Sequence, residues 1–213
     1  MISVIDYGRG NLYSIGRALS IIGHDYIITK DPEVIARSSQ VLVPGVGAFG
    51  DAMAIMRQSG ISEALSESVS AGHSILGICL GMQLLATKSF EFGEHTGLNF
   101  IPGKVSRLAP PQHIDGIRIP NIGWRKVDIE NDSQILKGLN KAPYFYFIHS
   151  YSFYCTNHSD LKGTIHVNGE KLAAIISREN VWGFQFHPEK SGPLGLTLLD
   201  NFFKKNTLYA RQS

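Results

Sequence analysis

The chain has 213 residues, 43% of them hydrophobic, and a formal net charge of +2. That length and apolar fraction suffice for a substantial core and fit one domain over residues 1–213 better than two small ones. The balanced charge, without a long basic run, gives no reason to invoke nucleic acid, and two cysteines, Cys79 and Cys155, are too few for a disulfide framework and suit a reducing compartment. Residues 1–6 carry neither a basic region nor a cleavage site, and no stretch approaches the ~18 apolar residues of a membrane span, so a soluble, unexported, cytoplasmic protein is expected.

In chain order, residues 2–5 form a β-branched run that stops at Asp6-Tyr7-Gly8-Arg9-Gly10-Asn11. Leu12, Ile15, Leu19 and Ile22 then recur at helical spacing. Gly8-x-Gly10 lacks the third small residue of a dinucleotide fingerprint, because Tyr13 stands there; no nicotinamide or flavin cofactor is expected. A second strand is predicted over residues 26–29 and a third over 41–43. The third ends at Pro44-Gly45-Val46-Gly47-Ala48-Phe49, a glycine-rich turn whose backbone amides can approach an anion. Helices are predicted from about Asp51 and over 61–71. Alternating strands and helices with short glycine turns predict an α/β fold with a doubly wound, mainly parallel sheet of flavodoxin-like form. In such sheets ligands sit beyond the carboxyl ends of the strands.

Ile75-Leu76-Gly77-Ile78-Cys79-Leu80-Gly81-Met82-Gln83 reads as a buried strand, a cysteine flanked by glycines and the first turns of a helix. Gly77-x-Cys79-x-Gly81 has the spacing of a nucleophile elbow: small residues on both sides permit the sharp turn that exposes the central side chain. Cys79 is thereby a candidate nucleophile, favoured as thiolate by the amides that follow it. A lone cysteine more often fills a core, so the assignment rests on what else the chain supplies.

From about Gly97 the pattern changes to a β-rich insertion, with strand-like pieces at 105–108, 117–119 and 124–129 and an aromatic strand over 144–153. An antiparallel pair is predicted at 164–167 and 172–177 around Asn168-Gly169. The last strand, 181–186, leads into His187-Pro188-Glu189, and a closing helix follows over 194–203. His187 and Glu189, two apart in extended chain, point to one side, and a carboxylate beside an imidazole fixes its tautomer and supports its cation. The eight histidines show no metal-ligand pairing, and no metal site is predicted.

A cysteine elbow, a downstream histidine and carboxylate, and a glycine-rich loop form a consistent set for acyl transfer through a thioester. Gly77-Ile78-Cys79-Leu80-Gly81-Met82-Gln83 and Phe184-Gln185-Phe186-His187-Pro188-Glu189 resemble the class I (triad) glutamine amidotransferases. Asp6-Tyr7-Gly8-x-Gly10-Asn11, the Pro44-to-Phe49 loop, Gly123-Trp124 and His149-Ser150-Tyr151 resemble, within that family, the glutaminase subunits of imidazole glycerol phosphate synthases. The resemblance implies a catalytic triad of Cys79, His187 and Glu189. It also implies oxyanion donors from the backbone of Val46 and Leu80, and a pocket for L-glutamine formed by Gly47, Gln83, Glu91, His149, Ser150 and Tyr151. It further implies a heterodimer with a (β/α)8-barrel cyclase subunit that receives the ammonia, with Asn11, Trp124, Tyr146 and Lys190 at or near the interface. The chain departs from the family pattern at residue 121, Asn where His is usual, and at residue 125, Arg where Asn is common. Both lie in the segment expected to face the partner. A paralogous amidotransferase that supplies ammonia for sugar amidation in surface-polysaccharide synthesis is the alternative partner assignment, and a non-amidotransferase cysteine hydrolase and a flavodoxin-like binding module are the alternatives from other classes.

Overall fold

A computed structural model describes residues 1–110, 118–130, 134–139 and 143–209. Its first half alternates strand and helix: β1 (Ile2–Ile5), α1 (Leu12–Ile21), β2 (Tyr26–Thr29), α2 (Pro32–Arg37), β3 (Gln40–Val43), α3 (Phe49–Gln58), α4 (Ile61–Ser70), β4 (Ser74–Ile78) and α5 (Leu80–Leu84). The second half is strand-rich: β5 (Lys88–Ser89), β6 (His95–Thr96), β7 (Gly103–Arg107), β8 (Asn121–Lys126), β9 (Asp128–Ile129), β10 (Tyr144–His149), β11 (Tyr151–Cys155), β12 (Leu161–Val167), β13 (Glu170–Arg178) and β14 (Val181–Phe184), closed by α6 (Gly192–Tyr209).

The main sheet has the order β2-β1-β3-β4-β14-β13-β12-β9. Its first five strands are mutually parallel, as the β-α alternation requires, and β13, β12 and β9 extend it in antiparallel fashion. The predicted β-rich insertion is therefore partly absorbed into the same sheet. The remainder forms a two-stranded ribbon, β8 with β10, and a four-stranded sheet in the order β11-β7-β5-β6.

β1, β3, β4 and β14 are buried along their whole lengths, the pattern of strands covered on both faces. Successive residues feed opposite cores: Leu42, Leu76 and Ile78 pack with Leu19, Leu198 and Phe202 of α1 and α6, whereas Val41, Val43 and Ile75 pack with Met53, Met56 and Leu65 of α3 and α4. Asn11 begins α1 by accepting a hydrogen bond from the Ser14 amide at 3.2 Å. The short α2, which the apolar spacing does not reveal, starts at an Asp31 cap followed by Pro32.

Three predicted pieces differ. The aromatic stretch 144–153 is two strands in different sheets, β10 and β11, parted at Ser150, whose carbonyl accepts from the Leu108 amide at 2.9 Å. At the proposed 117–119 strand, Ile117 lies outside the described residues and residues 118–120 are not strand. The predicted strand 124–129 is divided between β8 of the ribbon and β9 at the edge of the main sheet.

Candidate active site

The junction of β4 and α5 turns sharply at Cys79, whose φ of 56° and ψ of −110° are unusual for a residue with a side chain. The flanking glycines are needed for space. A Cβ on Gly77 would lie 2.5 Å from the Gly81 carbonyl oxygen, and one on Gly81 would overlap the Val43 carbonyl oxygen. Cys79 N–H donates to the Phe184 carbonyl at 2.7 Å, which ties the elbow to β14. The His187-Pro188-Glu189 turn follows that strand, so pairing of β4 with β14 brings cysteine and histidine together across 108 positions of sequence.

His187 is 4% exposed, and its Nδ1 lies 2.8 Å from Glu189 Oε1, a side chain only 1% exposed. Burial works against the imidazolium, but hydrogen bonding and charge from Cys79 and Glu189 outweigh it and push the His187 pKa up to about 10. Nε2 has no partner of regular hydrogen-bond geometry among the described residues. The fixed contact is thus on Nδ1, and Nε2 is left for proton traffic.

Cys79 and His187 border a cavity of about 350 Å3. Val46 and Gly47 line it from the loop after β3, and Leu80 and Gln83 line it from α5. Glu91, from the turn after β5, and His149, Ser150 and Tyr151, from the β10–β11 junction, complete the set expected from sequence. Pro120 and Ile148 also line the cavity and were not anticipated. Glu91 Oε2 accepts from the Phe49 amide at the start of α3 at 2.7 Å. Burial raises the Glu91 pKa, and that hydrogen bond opposes the rise. Gln83 Nε2 donates to the Tyr151 carbonyl at 2.9 Å and to Gln185 Oε1 at 3.0 Å, and Gln185 Nε2 lies 3.9 Å from Cys79 Sγ. Gln185 escaped sequence reasoning as a site residue, although a glutamine inside the run 181–186 was the available signal.

The Leu80 amide, one of the two expected oxyanion donors, donates to the Gly45 carbonyl over 3.4 Å. The expected interface residues lie outside the cavity. Trp124 is 50% exposed and meets the Tyr146 ring edge-on at 6.2 Å, while Lys190 is exposed at the end of a 3-10 turn. Two of them are nevertheless tied to the 187–189 turn: His187 N–H donates to the Tyr146 carbonyl at 2.9 Å, and Lys190 N–H to the His187 carbonyl at 3.0 Å. Ile122, Trp124, Tyr144 and Ile148 form an exposed apolar face on the β8–β10 ribbon, in which Ile148 pairs with Ile122 and Tyr146 with Trp124.

An elbow cysteine beside a carboxylate-held histidine, over a pocket with polar side chains, defines a cysteine-dependent amidase geometry. The class-I glutamine amidotransferase family model matches residues 3–206, and the chain belongs to that family. It is 42% identical over 202 residues to imidazole glycerol phosphate synthase subunit HisH of Caldanaerobacter subterraneus subsp. tengcongensis, covering 95% of this chain and 97% of that one. The protein of the same name from Wolinella succinogenes is also 42% identical over 202 residues, covering 95% and 98%. Among solved structures, one described as a glutamine amidotransferase superposes with a TM-score of 0.73 at 19% identity, covering 97% of this chain and 98% of that one. PurLQS from Thermotoga maritima superposes with a TM-score of 0.70 at 19% identity, covering 96% and 97%. These two show the likeness of fold.

Proposed function

We propose that this chain is the glutaminase subunit of an imidazole glycerol phosphate synthase, hydrolysing L-glutamine to glutamate and ammonia in histidine biosynthesis. The observation that carries the reading is Cys79 at a strained elbow beside the His187–Glu189 pair, on one cavity with Gln83 and Glu91. With the proton of the Cys79–His187 pair resting on the imidazole, the Cys79 sulfur attacks the side-chain amide carbon of glutamine. The tetrahedral intermediate collapses as the C–N bond breaks, and His187 returns the proton to the departing ammonia. Water, deprotonated by the same imidazole, then cleaves the thioester to glutamate and the free thiol. Glu189 holds His187 in orientation and stabilises its cation. Glu91 meets the substrate's α-ammonium group, and Gln83, Gly47 and the 149–151 backbone shape the pocket around it.

The oxyanion needs donors, and the Leu80 amide is engaged by Gly45. In a trans peptide the carbonyl of Gly45 and the amide of Val46 point in opposite directions. Turning that one peptide plane removes the acceptor from Leu80 and directs Val46 N–H to the same place. The structure is on this reading a resting form, completed for catalysis by a local rotation.

Ammonia is the useful product, and a subunit assignment implies a receiver. The apolar face of Ile122, Trp124, Tyr144 and Ile148 supports docking of the (β/α)8-barrel cyclase, because the Ile148 carbonyl on that ribbon lies 3.9 Å from Cys79 Sγ. The sugar-amidation assignment is not favoured, since relatives matching 95% of the chain carry the HisH name. We read residues 1–213 as one amidotransferase domain. The test is stoichiometric labelling of Cys79 by a glutamine-analogue electrophile: loss of labelling in competition with glutamine supports the reading. Failure of any labelling, with or without the barrel subunit, overturns it.

A further inference from the structure

Asn121 and Arg125 are bonded to one another and, through Asn121, to His149 on the cavity wall. Arg125 Nε donates to Asn121 Oδ1 at 2.8 Å, and its terminal nitrogens donate to the carbonyls of Trp124 at 3.2 Å and Ile122 at 3.3 Å. With Oδ1 so occupied, the fully buried Asn121 presents its NH2 group to His149 Nε2, 2.8 Å away. An amide nitrogen donates and does not accept, so Nε2 must carry the lone pair. On the opposite side of the ring, Nδ1 lies 2.9 Å from the Tyr151 carbonyl oxygen, which only accepts, so Nδ1 must carry the hydrogen. The Tyr151 oxygen receives Gln83 Nε2 as well, and Gln83 leads through Gln185 to Cys79.

We propose that Asn121, held by Arg125, is a positioning residue that locks His149 as the uncharged Nδ1–H tautomer and through it fixes the Tyr151 carbonyl and Gln83 on the cavity wall. Its catalytic meaning rests on the glutaminase reading above. The charged and titratable groups around His149 are Arg125 on β8, His187 after β14, and Cys79, Glu91 and Tyr151 on the same cavity. A second cation there would oppose the His187 imidazolium. Burial, opposed by the hydrogen bond to Tyr151 and reinforced by Arg125 and His187, holds the His149 pKa down at about 4. Asn at 121 paired with Arg at 125 thus acts as a unit: the arginine dictates which way the amide faces, and the amide dictates the tautomer.

The experiment uses the full-length chain labelled with 15N-histidine and reads the His149 ring by long-range 1H–15N correlation across pH 5 to 8. The proposal expects the Nδ1–H tautomer, uncharged throughout. An Nε2–H tautomer, or a ring that protonates within that range, overturns it. The second arm is Asn121→Asp, which replaces the donor with an acceptor. His149 should then hold hydrogens on both nitrogens, with its titration raised by about two units or more. In the complex with the barrel subunit, kcat/KM for glutamine should fall by roughly tenfold one pH unit below the new titration and recover as pH rises past it. An Asn121→Asp pH profile identical to wild type overturns the positioning role even where the tautomer is as stated. If the wild-type complex does not hydrolyse glutamine at all, the glutaminase reading fails while the tautomer still decides the proposal.

Discussion

The Leu80 amide donates to the Gly45 carbonyl over 3.4 Å, so the residue directly after the elbow cysteine spends its N–H on the loop expected to help it. The contact is long for an N–H···O bond, and so weak enough to exchange. Without a trigger, the chain alone should hydrolyse glutamine slowly. Addition of the barrel subunit with its ribonucleotide substrate should raise kcat at least tenfold, since one oxyanion donor supplies roughly 10²–10³ in rate. Steady-state glutamate release checks this.

Cys79→Ala and Cys79→Ser should abolish glutamine-dependent synthesis by the complex and leave ammonia-dependent synthesis within about twofold of wild type, because in the proposed mechanism the thiol acts only on glutamine. Equal loss of both activities would mean that Cys79 shapes the fold.

The raised His187 pKa carries a stability consequence. The folded chain holds this proton up to about pH 10, whereas unfolded histidine releases it near 6.5, so the contribution is fully present below 6.5 and is lost as pH rises toward 10. Cys79→Ala removes a group that raises the pKa, and its stability should therefore decline less steeply over that window. Urea unfolding at several pH values measures the two slopes.

Tyr7 is 4% exposed, and its hydroxyl has no hydrogen-bond partner among the described residues. Tyr7→Phe deletes an unsatisfied buried group at nearly constant shape and should stabilise the resting chain by about 1 kcal/mol. A lower melting temperature would contradict this.

Trp124→Ala, on the exposed face of the β8–β10 ribbon, should leave the melting temperature within a few degrees of wild type and weaken association with the barrel subunit by tenfold or more, as aromatic anchors at interfaces do. Titration calorimetry with the purified partner reads the affinity.

Much of this was legible in sequence because it is local. Strands buried on both faces read as apolar runs, and Gly77, Cys79 and Gly81 encode their own turn. What escaped is set by distant pairing. Residues 144–153 alternate as one aromatic strand, yet β8 and β7 compete for its two halves and divide it at Ser150. Likewise nothing near Asn121 announces that His149 waits on the neighbouring strand, since that contact is made by β8–β10 register. Glu91 was reached through family resemblance; its role in holding the start of α3 depends on a hydrogen bond spanning 42 positions.

The most direct test of the central claim is glutamate release from glutamine by the chain alone, with the histidine-pathway barrel subunit, and with that subunit plus its ribonucleotide substrate. Slow release by the chain alone, strong stimulation in the full mixture and none from Cys79→Ala are expected. Release that persists in Cys79→Ala, or no release under any of the three conditions, would contradict that claim.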